Sequence, residues 1–569
     1  MTSDSFRLSG LSLARFPGLG RLSPMALLLA GLAVFLIITV AFPLGMLAVK
    51  SFQDRGGDWV GWANYATFLS SPALGRAVAN SLWVSVVTTV ITLTLAFPFA
   101  FALTRSRMPG KGALRILAQI PILAPSLLPA LSLVYLFGNK GILREMLMGQ
   151  PLYGPIGIVI SEVFYTFPHA VLILVTALSV ADARLYEAAE SLGAGPLRRF
   201  LSITLPGARY GIISAVFVVF TLVITDFGVP KVVGGQYSVL ATEVYKQVVG
   251  QQNFGIGAVI GLILLLPAGL AFGAESWGAK RQKALLSSRS VPYIPARSPW
   301  VDWSLLAFCL TVTGLLAAIL GMALYASLIK FWPYNLTLTL NNYDFSQFDG
   351  AGWSSYWNSI RLSLITAAIG TVVVFCGAYL MEKLRGAEQI KALIRLLAIL
   401  PLAVPGMVLG LAYIFFFNHP DNPLNFLYHG MAMLVLSTIV HFYTVAHLTA
   451  STALKQLDGE FEAVTASLKV PLWRTFLLVT VPLCLPAILD IAIYLFLNAM
   501  TTVSAVVFLY SPDTKPASVA VLNMDDAGEI AGAAAMAMMI VYTSTVVRLG
   551  HSGLSALLSR RTERWRKRG

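Results

Sequence analysis

The sequence is poor in charged residues and in cysteine, and each shortage excludes a class of protein. Only 12% of the 569 residues are Asp, Glu, Lys or Arg, whereas 57% are hydrophobic and the mean hydropathy is +0.76. A soluble protein carries about twice that charged fraction. The three cysteines, Cys309, Cys376 and Cys484, lie in apolar segments without metal-ligand spacing, so the sequence predicts neither a disulfide framework nor a metal site. These shortages indicate a polytopic membrane protein.

Motifs for catalysis are also missing from the sequence. It has no G-x-x-x-x-G-K-[ST] loop to hold ATP phosphates, no H-E-x-x-H zinc motif and no nucleophile elbow. We therefore expect no enzyme activity and no cofactor bound by this chain. The net charge of +14 is compatible with nucleic-acid binding. Basic loops in a membrane protein more often reflect topology and anionic lipid, so we predict no nucleic-acid partner.

About twelve stretches are apolar over roughly the 20 residues that a helix needs to cross a bilayer. They lie at 25–49, 77–104, 114–137, 155–179, 210–230, 255–275, 303–328, 357–381, 392–417, 427–453, 485–510 and 527–548. The first follows Arg7, Arg15 and Arg21 but is long for a signal peptide and lacks a convincing cleavage site. The sequence therefore predicts an all-α bundle of about twelve membrane helices, the first of them a retained signal anchor.

The two halves of the chain repeat each other. Asn80-Ser81 in the second span matches Asn358-Ser359 in the eighth, and IPILAPSLLPAL from Ile120 matches LPLAVPGMVLGL from Leu400. Six spans separate equivalent points, and an even number preserves orientation, so we predict two parallel six-helix repeats rather than inverted ones. The predicted domains are a cytoplasmic N-terminus 1–24, repeats 25–276 and 301–548, a linker 277–300 and a basic tail 549–569.

Each half contains a polar, basic segment between two apolar runs. In the first, Tyr186 to Pro206 (YEAAESLGAGPLRRFLSITLP), Gly193 is suited to turn a short helix and Pro206 to begin the next one. A second version runs from Phe461 to Pro482 (FEAVTASLKVPLWRTFLLVTVP). We predict a helix-turn-helix in both places and name them the first elbow, residues 181–209, and the second elbow, residues 454–482.

The distribution of Lys and Arg predicts which side of the membrane the elbows face. With the N-terminus inside, 30 of the 40 basic residues fall on the inner side, including those of both elbows, the linker and the C-terminal tail, and 10 fall on the outer side. Positive residues concentrate in the cytoplasm. We therefore predict that both elbows and both termini are cytoplasmic.

The first elbow resembles a known coupling loop. The order Glu-Ala-Ala from position 187, then three residues, then Gly193, and later Leu-Pro at 205–206, is similar to the cytoplasmic loop of permeases of binding-protein-dependent ABC importers. The resemblance implies a type I importer permease fold in a bacterial inner membrane. It also implies two ATPase subunits that dock at the elbows and bind ATP and Mg²⁺, and a periplasmic protein that delivers the solute.

The resemblance assigns ATPase coupling to residues of both elbows. They are Glu187, Ala188, Ala189, Gly193 and Pro206 in the first elbow, and Glu462, Ala463, Lys469 and Pro482 in the second. The second elbow departs from the family pattern, because its glycine position falls on Lys469 and Glu462 is one residue out of register. We therefore expect the second elbow to dock with altered contacts.

Fused permeases of this length resemble the importers of ferric iron and of 2-aminoethylphosphonate. The segment from Leu522 to Thr543 and the SLKVPLWRTF of the second elbow resemble the aminoethylphosphonate members more closely, so we predict phosphonate uptake, with ferric iron as the alternative. An ion-coupled secondary transporter would show paired carboxylates near the midplane or broken helices in inverted halves, and neither is evident in the sequence. The repeated elbow disfavours a membrane scaffold without transport.

Polar residues within the spans are candidates for a translocation path, because an ionisable group in hydrocarbon is costly. They are Glu162 and His169 on one face of the fourth span, Asp226 late in the fifth, His441 with His447 in the tenth, and Asp490 and Asn498 on one face of the eleventh. The alternative for each is interhelical hydrogen bonding, which is the commoner use of such residues.

Prolines recur at equivalent places in the third and ninth spans. They are Pro121, Pro125 and Pro129 in one and Pro401 and Pro405 in the other. Proline removes a backbone donor and clashes with the preceding turn, so a helix bends there. We predict bends that serve a central gate; a kink that the membrane merely tolerates is equally compatible with the sequence.

Overall fold

Nearly all of the chain between the two termini is helical. The computed structural model describes residues 24–179, 182–284, 293, 295, 298–384, 386–457, 464, 465, 467, 468 and 470–566. The predicted N-terminal segment 1–24 lies outside the described residues apart from its last residue, and the predicted linker 277–300 is described only in part.

Eight helices in these ranges are each long and apolar enough to cross a bilayer. They are Pro24–Lys50, Pro72–Arg105, Pro155–Ser179, Pro196–Thr225, Phe254–Ala271, Pro299–Leu328, Trp353–Lys383 and Ile530–Leu558. Four bent pairs qualify when each pair is taken as one span: Lys111–Leu123 with Leu127–Phe137, Glu388–Ala403 with Gly406–Phe417, Met431–His441 with Tyr443–Lys455, and Trp473–Leu483 with Leu485–Thr501. The total of twelve confirms the predicted all-α polytopic fold.

Shorter elements lie between the spans. Short helices include Ala63–Ser70, Ala183–Ser191, Gly228–Val233, Leu240–Tyr245 and Ala517–Asp526. An antiparallel hairpin pairs Ile329–Phe331 with Asn335–Leu338. The helix of the sixth span continues to Ala284 and that of the twelfth to Arg566.

The second span shows how sequence sets a helix boundary. The hydroxyl of Ser71, in extended backbone, accepts a hydrogen bond from the backbone N–H of Leu74 at 3.4 Å, and Pro72 occupies the first turn, where no backbone donor is needed. The helix then runs for 34 residues to Arg105, longer than the bilayer core requires. The second span therefore extends beyond the membrane at one end.

The predicted bends in the third and ninth spans are confirmed. The two helices of the third span meet at 99° and those of the ninth at 118°, and the breaks fall beside Pro125 and Pro405. The tenth and eleventh spans are also bent, by 56° and 77°. The tenth breaks at Phe442, within a helix that the sequence predicted as continuous, and the eleventh breaks at Cys484, directly before its predicted start. Broken spans in both halves place non-helical backbone inside the bundle, where neighbouring helices satisfy its polar groups.

The fifth and eleventh spans end earlier than hydropathy predicts. The fifth helix begins in the first elbow and ends at Thr225, and the eleventh ends at Thr501. The apolar residues that follow are buried inside the bundle: Phe227 leads into the short helix Gly228–Val233, and turns follow Val503. Hydropathy measures burial and not helicity, so it extended both predicted spans by several residues.

Each half begins with a helix that lies against the other half. The first span packs on the ninth, where the hydroxyl of Tyr413 donates to the carbonyl oxygen of Thr39 at 2.9 Å. In the same way the seventh span packs on the third. This exchange of first helices holds the halves together. We name the end of the bundle furthest from the elbows the opposite end.

Candidate functional site

The first elbow contains a short helix with a defined end. Ala183–Ser191 starts after Asp182, whose carboxylate accepts a hydrogen bond from the backbone N–H of Arg184 at 3.1 Å. Gly193 lies in left-handed backbone with φ +72°. Its N–H donates to Glu190 O and the N–H of Ala194 donates to Ala189 O, both at 2.9 Å. This pair of bonds is the Schellman motif, in which glycine is favoured because no other residue enters the left-handed region freely.

The chain then returns to the membrane as one continuous helix rather than a new one at Pro206. The helix starts at Pro196, passes through a π-helical turn at Phe200–Thr204 and continues as Leu205–Thr225. The expectation that Pro206 starts the helix is therefore corrected. Proline has no N–H to donate to the preceding turn, and the wider π-helical turn directly before it accommodates that loss.

The second elbow repeats this backbone in the second half of the chain. A π-helical turn at Phe476–Thr480 again precedes the proline, here Pro482, and Val470 N donates to Thr465 O at 2.9 Å as Ala194 does to Ala189. Three predicted coupling residues, Glu462, Ala463 and Lys469, lie outside the described residues.

Both elbows expose apolar side chains at matching positions. Leu192 is 84% exposed and its counterpart Leu468 is 70% exposed, and Leu197 matches the exposed Trp473. Of the predicted coupling residues in the first elbow, Glu187, Ala188 and Gly193 are exposed and Ala189 is half-buried. An apolar surface with a polar rim is typical of a protein interaction site.

The first elbow is fastened to the bundle through Tyr186. Its hydroxyl hydrogen-bonds with the hydroxyl of Thr204 at 2.8 Å, which joins the short helix to the π-helical turn. The guanidinium of Arg105, at the end of the second span, lies over the ring of Tyr186 at 5.1 Å and over that of Tyr293 in the linker at 4.6 Å. Tyr186 therefore links the first elbow to the second and fifth spans.

Two predicted path residues meet inside the bundle. The carboxyl groups of Glu162 in the fourth span and Asp226 at the end of the fifth lie within contact range of each other; we name them the carboxyl pair. Glu162 is 0% exposed, and neither of its carboxyl oxygens has a hydrogen-bond donor among the described residues. One oxygen of Asp226 accepts from Val229 N at 2.8 Å.

The phenol of Tyr165 lies beside the carboxyl pair. It lies near both carboxyl groups and near Tyr494, which belongs to the eleventh span in the second half. Asp226, Tyr165 and Tyr494 are half-buried, whereas Glu162 retains no exposed surface. His169 lies one turn further along, with its ring 5.8 Å from that of Tyr165.

The other predicted path residues lie elsewhere. Asp490 pairs with His551 of the twelfth span at 3.2 Å, and the amide of Asn498 donates to Tyr494 O within its own helix. The Nδ1 atoms of His441 and His447 are buried without a hydrogen-bond partner among the described atoms, and both rings contact aromatic neighbours. Asp490 thus takes part in an interhelical contact and Asn498 in a local one, and a place for either on the translocation path stays a prediction.

The contact between Glu162 and Asp226 corrects the expectation that the chain has no paired carboxylates. Paired carboxylates are not evident in the sequence because Glu162 and Asp226 are far apart along the chain and on different helices. Tyr165 and Tyr494 gave no signal, since tyrosine is common in membrane spans. The spacing of Glu162 and Tyr165 on one helix face was the only local indication.

The opposite end of the bundle carries contacts between the halves. Lys231 Nζ lies 2.8 Å from a carboxylate oxygen of Asp526, and the ring of Tyr245 stacks at 6.0 Å from that of Phe508. Asp525 is half-buried next to Asp526, and burial is the main cause that raises the pKa of Asp525 to about 7. These contacts join the two halves at the opposite end.

A serine contacts a glycine at the bend of each half, and the two residue types occupy opposite positions in the two halves. A Cβ atom on Gly228 would lie 2.6 Å from Ser126 Oγ, too close for a real contact. In the second half the glycine is Gly406, at the bend, and the serine is Ser504, and a Cβ on Gly406 would again collide with the serine hydroxyl. One small residue at each contact lets the bent span approach the turn that follows the fifth or eleventh span.

Metal ligands do not cluster in the described part of the chain. No three His, Cys, Asp or Glu side chains there are placed to hold an ion, and the three cysteines are free. The carboxyl pair is the closest approach to such a group, with two acids and neighbouring phenols.

Two like halves of broken membrane helices, each with an exposed elbow, define a membrane permease. The chain belongs to the family described as binding-protein-dependent transport system inner membrane component, whose model matches twice, at residues 93–277 and 378–562. It is a multi-pass inner-membrane protein and a permease of the ABC importer class, with both halves fused in one chain.

Several relatives are similar over much of the chain. The ferric transport system permease protein FbpB of Actinobacillus pleuropneumoniae is 29% identical over 92% of this chain and 77% of its own length. A putative ferric transport system permease protein, FbpB 1 of Haemophilus influenzae, is 29% identical over 84% of this chain and 76% of its own length. The spermidine/putrescine permease PotB of Haemophilus influenzae is 30% identical over 41% of this chain and 86% of its own length.

A solved structure is also similar. A bacterial ABC transporter involved in the import of the acidic polysaccharide alginate matches 46% of this chain and 95% of its own chain, with a TM-score of 0.37 and 18% identity.

Proposed function

We propose that this chain is the translocation permease of an ABC importer for ferric iron. The observation that carries the proposal is that the two relatives aligned with 92% and 84% of the chain are both named ferric transport permeases. The prediction of 2-aminoethylphosphonate uptake has no support from these relatives, and the alternative, ferric iron, is the better-supported interpretation.

Acidic oxygen groups meet in the interior. Glu162 and Asp226 lie within contact range, and Tyr165 lies near both. Oxygen ligands suit hard multivalent cations, so these groups are compatible with ferric iron. 2-Aminoethylphosphonate carries an ammonium group as well as its phosphonate and would also find a partner among these acids, so the names of the relatives carry the assignment.

The elbows are the surfaces at which two separate ATPase subunits would dock, one at each. Support comes from the exposed apolar side chains Leu192 and Leu468 at matching positions and from the rigid end of the Ala183–Ser191 helix. The excess of Lys and Arg on that side favours a cytoplasmic location for the elbows and both termini, where ATP is. ATP and Mg²⁺ would be bound by the ATPase subunits.

Alternating access follows from the two ends of the bundle. Closure of the ATPase dimer would move the elbows, and Tyr186 with Thr204 would transmit the movement to the fifth span. The fifth span leads into Gly228–Val233, which carries Lys231. Separation of Lys231 from Asp526 would open the opposite end toward a periplasmic binding protein that delivers the iron.

The proposal is tested by uptake in cells that express the chain with its cognate ATPase and binding protein. We expect uptake of radioactive ferric iron that stops when ATP hydrolysis is blocked with vanadate. The competing experiment supplies 2-aminoethylphosphonate as the sole phosphorus source. Growth on the phosphonate without ferric uptake would reject the iron assignment and keep the importer class.

Sidedness is tested separately by labelling a single cysteine. Glu187→Cys in a background without the three natural cysteines should react with a thiol reagent only after the inner membrane is permeabilised. Labelling from the periplasm in intact cells would rule out ATPase docking at the first elbow.

A further inference from the structure

We propose that the carboxyl pair, Glu162 and Asp226, together with Tyr165, forms a transit site for a multivalent hard cation inside this permease. The inference rests on the proposed import of ferric iron and names the residues at which the ion would pause between the two halves. The fourth and fifth spans carry the pair, and Tyr165 beside it also lies near Tyr494 of the eleventh span.

The first argument is that the pair is incomplete by itself. Glu162 is 0% exposed, and its two oxygens have no donor among the described residues. Its near neighbour is Asp226, which is also an acid. Two ionised carboxylates cannot stay together in a medium of low dielectric, so the pair must share a proton or hold a cation. Arrival of the cation displaces the shared proton to water, and both carboxylates then bind it.

The second argument is access. Asp226, Tyr165 and Tyr494 retain some exposed surface inside the bundle, whereas Glu162 retains none. A cation in the space between the halves would therefore meet Asp226 and the phenols before Glu162. Asp226 is held in place, because one of its oxygens accepts the N–H of Val229 at 2.8 Å.

The third argument is that only the first half carries the acids. In the register of the two elbows, Thr438 is the counterpart of Glu162 and Thr502 is the counterpart of Asp226. The hydroxyl of Thr438 is satisfied by Leu434 O at 2.7 Å. The backbone after the eleventh helix has the same dihedral angles as that after the fifth, although it carries Thr502 where the fifth has Asp226. The acid at Asp226 is therefore not required for that helix end.

The composition of the site suits passage rather than storage. Two carboxylates with nearby phenols offer fewer strong ligands than a resident metal site, and no third acid, histidine or cysteine joins them in the part of the chain described. A translocation site must bind well enough to admit the ion and weakly enough to release it.

The test uses the complete importer with Glu162→Gln and Asp226→Asn. Each substitution keeps the side-chain length, and an amide can still donate to the remaining carboxylate. We expect ferric uptake to fall at least about tenfold. This is the lower end of the loss in metal affinity or activity that follows removal of a residue supporting a metal site. ATPase activity stimulated by the binding protein should remain. Asp490→Asn, which removes an acid paired with His551, is the matched control and should transport normally.

A second readout does not depend on transport. Tb³⁺ bound near tyrosine emits when the phenol is excited, so the purified full chain and its Asp490→Asn variant should show saturable emission that Glu162→Gln and Asp226→Asn lose. Equal emission and equal ferric uptake in all four proteins would overturn the transit site. If the unaltered importer takes up no ferric iron, the proposed substrate fails, and the Tb³⁺ titration still decides whether the site binds a hard cation.

Discussion

The two halves share the backbone of equivalent helix ends and differ in the side chains placed there. Asp226, directly after the fifth helix, has φ −71° and ψ 137°, and Thr502, directly after the eleventh, has φ −67° and ψ 136°. The same dihedral angles thus carry an acid in one half and a hydroxyl in the other. The fourth and fifth spans are continuous, whereas the tenth and eleventh are broken. The comparison teaches that the repeat keeps the local backbone at equivalent positions, while side-chain chemistry and helix continuity differ between the halves.

The elbows differ in a comparable way. Both close their short helix with an equivalent hydrogen bond of 2.9 Å, from Ala194 to Ala189 and from Val470 to Thr465. The first elbow alone has a glycine at the left-handed position, and Tyr293 of the linker packs on it with its ring 4.3 Å from that of Tyr186. The fused linker therefore supports one elbow directly, which two separate subunits would not provide.

The largest expected effect on stability comes from exchanging the serine and the glycine that contact each other at the bend. Gly228→Ser should destabilise the chain by about 1–3 kcal/mol, because a larger side chain would be forced against Ser126 and Leu127. The double variant Ser126→Gly/Gly228→Ser reproduces the arrangement of Gly406 with Ser504 and should recover most of the loss. Thermal unfolding of the purified chain measures both. A double variant no more stable than the single one would show that the halves are not interchangeable here.

The second prediction concerns the cap of the first elbow. Gly193→Val should lower ferric uptake about tenfold with membrane insertion intact, because a β-branched residue at φ +72° costs roughly 1–3 kcal/mol and unwinds the Schellman turn. Gly195→Val is the matched control, since Gly195 has φ −66° and open space around it. Co-purification of the ATPase subunit should fall for the first variant only. Wild-type uptake with Gly193→Val would argue against coupling through this turn.

The third prediction concerns the contact that joins the halves at the opposite end. Lys231→Met should raise the basal ATPase activity of the assembled importer by up to about fivefold, because a partly exposed ion pair contributes about 0.2–1 kcal/mol to the closed state. Lys246→Met, which breaks a pair with Glu243 inside one half, should leave it unchanged. Restoration by Lys231→Asp/Asp526→Lys would assign the effect to the pair, and no restoration would assign it to packing.

The smallest expected effect is a dependence of stability on pH at the same end. The pKa of Asp525 is raised to about 7, above the value of about 3.9 in an unfolded chain, so the folded chain holds the proton more tightly. Its contribution to stability is complete below pH 4 and is lost as the pH rises through 7. Asp525→Asn should therefore flatten the fall in unfolding temperature between pH 5 and 8 by a few degrees at most. An unchanged slope would contradict the assignment.

Much of the fold was predictable because its signals are local. Runs of apolar residues predicted the twelve spans, and the proline pairs predicted the bends at Pro125 and Pro405. Gly193 predicted the turn of the first elbow because left-handed backbone favours glycine. The ends of the fifth and eleventh spans were not predictable, since the buried segments that follow them are as apolar as the helices.

The candidate site was predictable only as separate residues. Glu162 and Asp226 stand out in the sequence because charge is rare in hydrocarbon. Their contact depends on how the fourth and fifth spans pack, and the contribution of Tyr494 depends on how the second half docks on the first.

By itself the sequence determined that the chain is a duplicated bundle of membrane helices with two basic elbows, because hydropathy, repetition and turn residues act over short distances along the chain. Only the tertiary structure decided that two acids on different spans contact each other and that Lys231 pairs with Asp526. It also decided that the first helix of each half packs against the other half. These contacts are set by the packing of distant helices, and no property of a local segment specifies them.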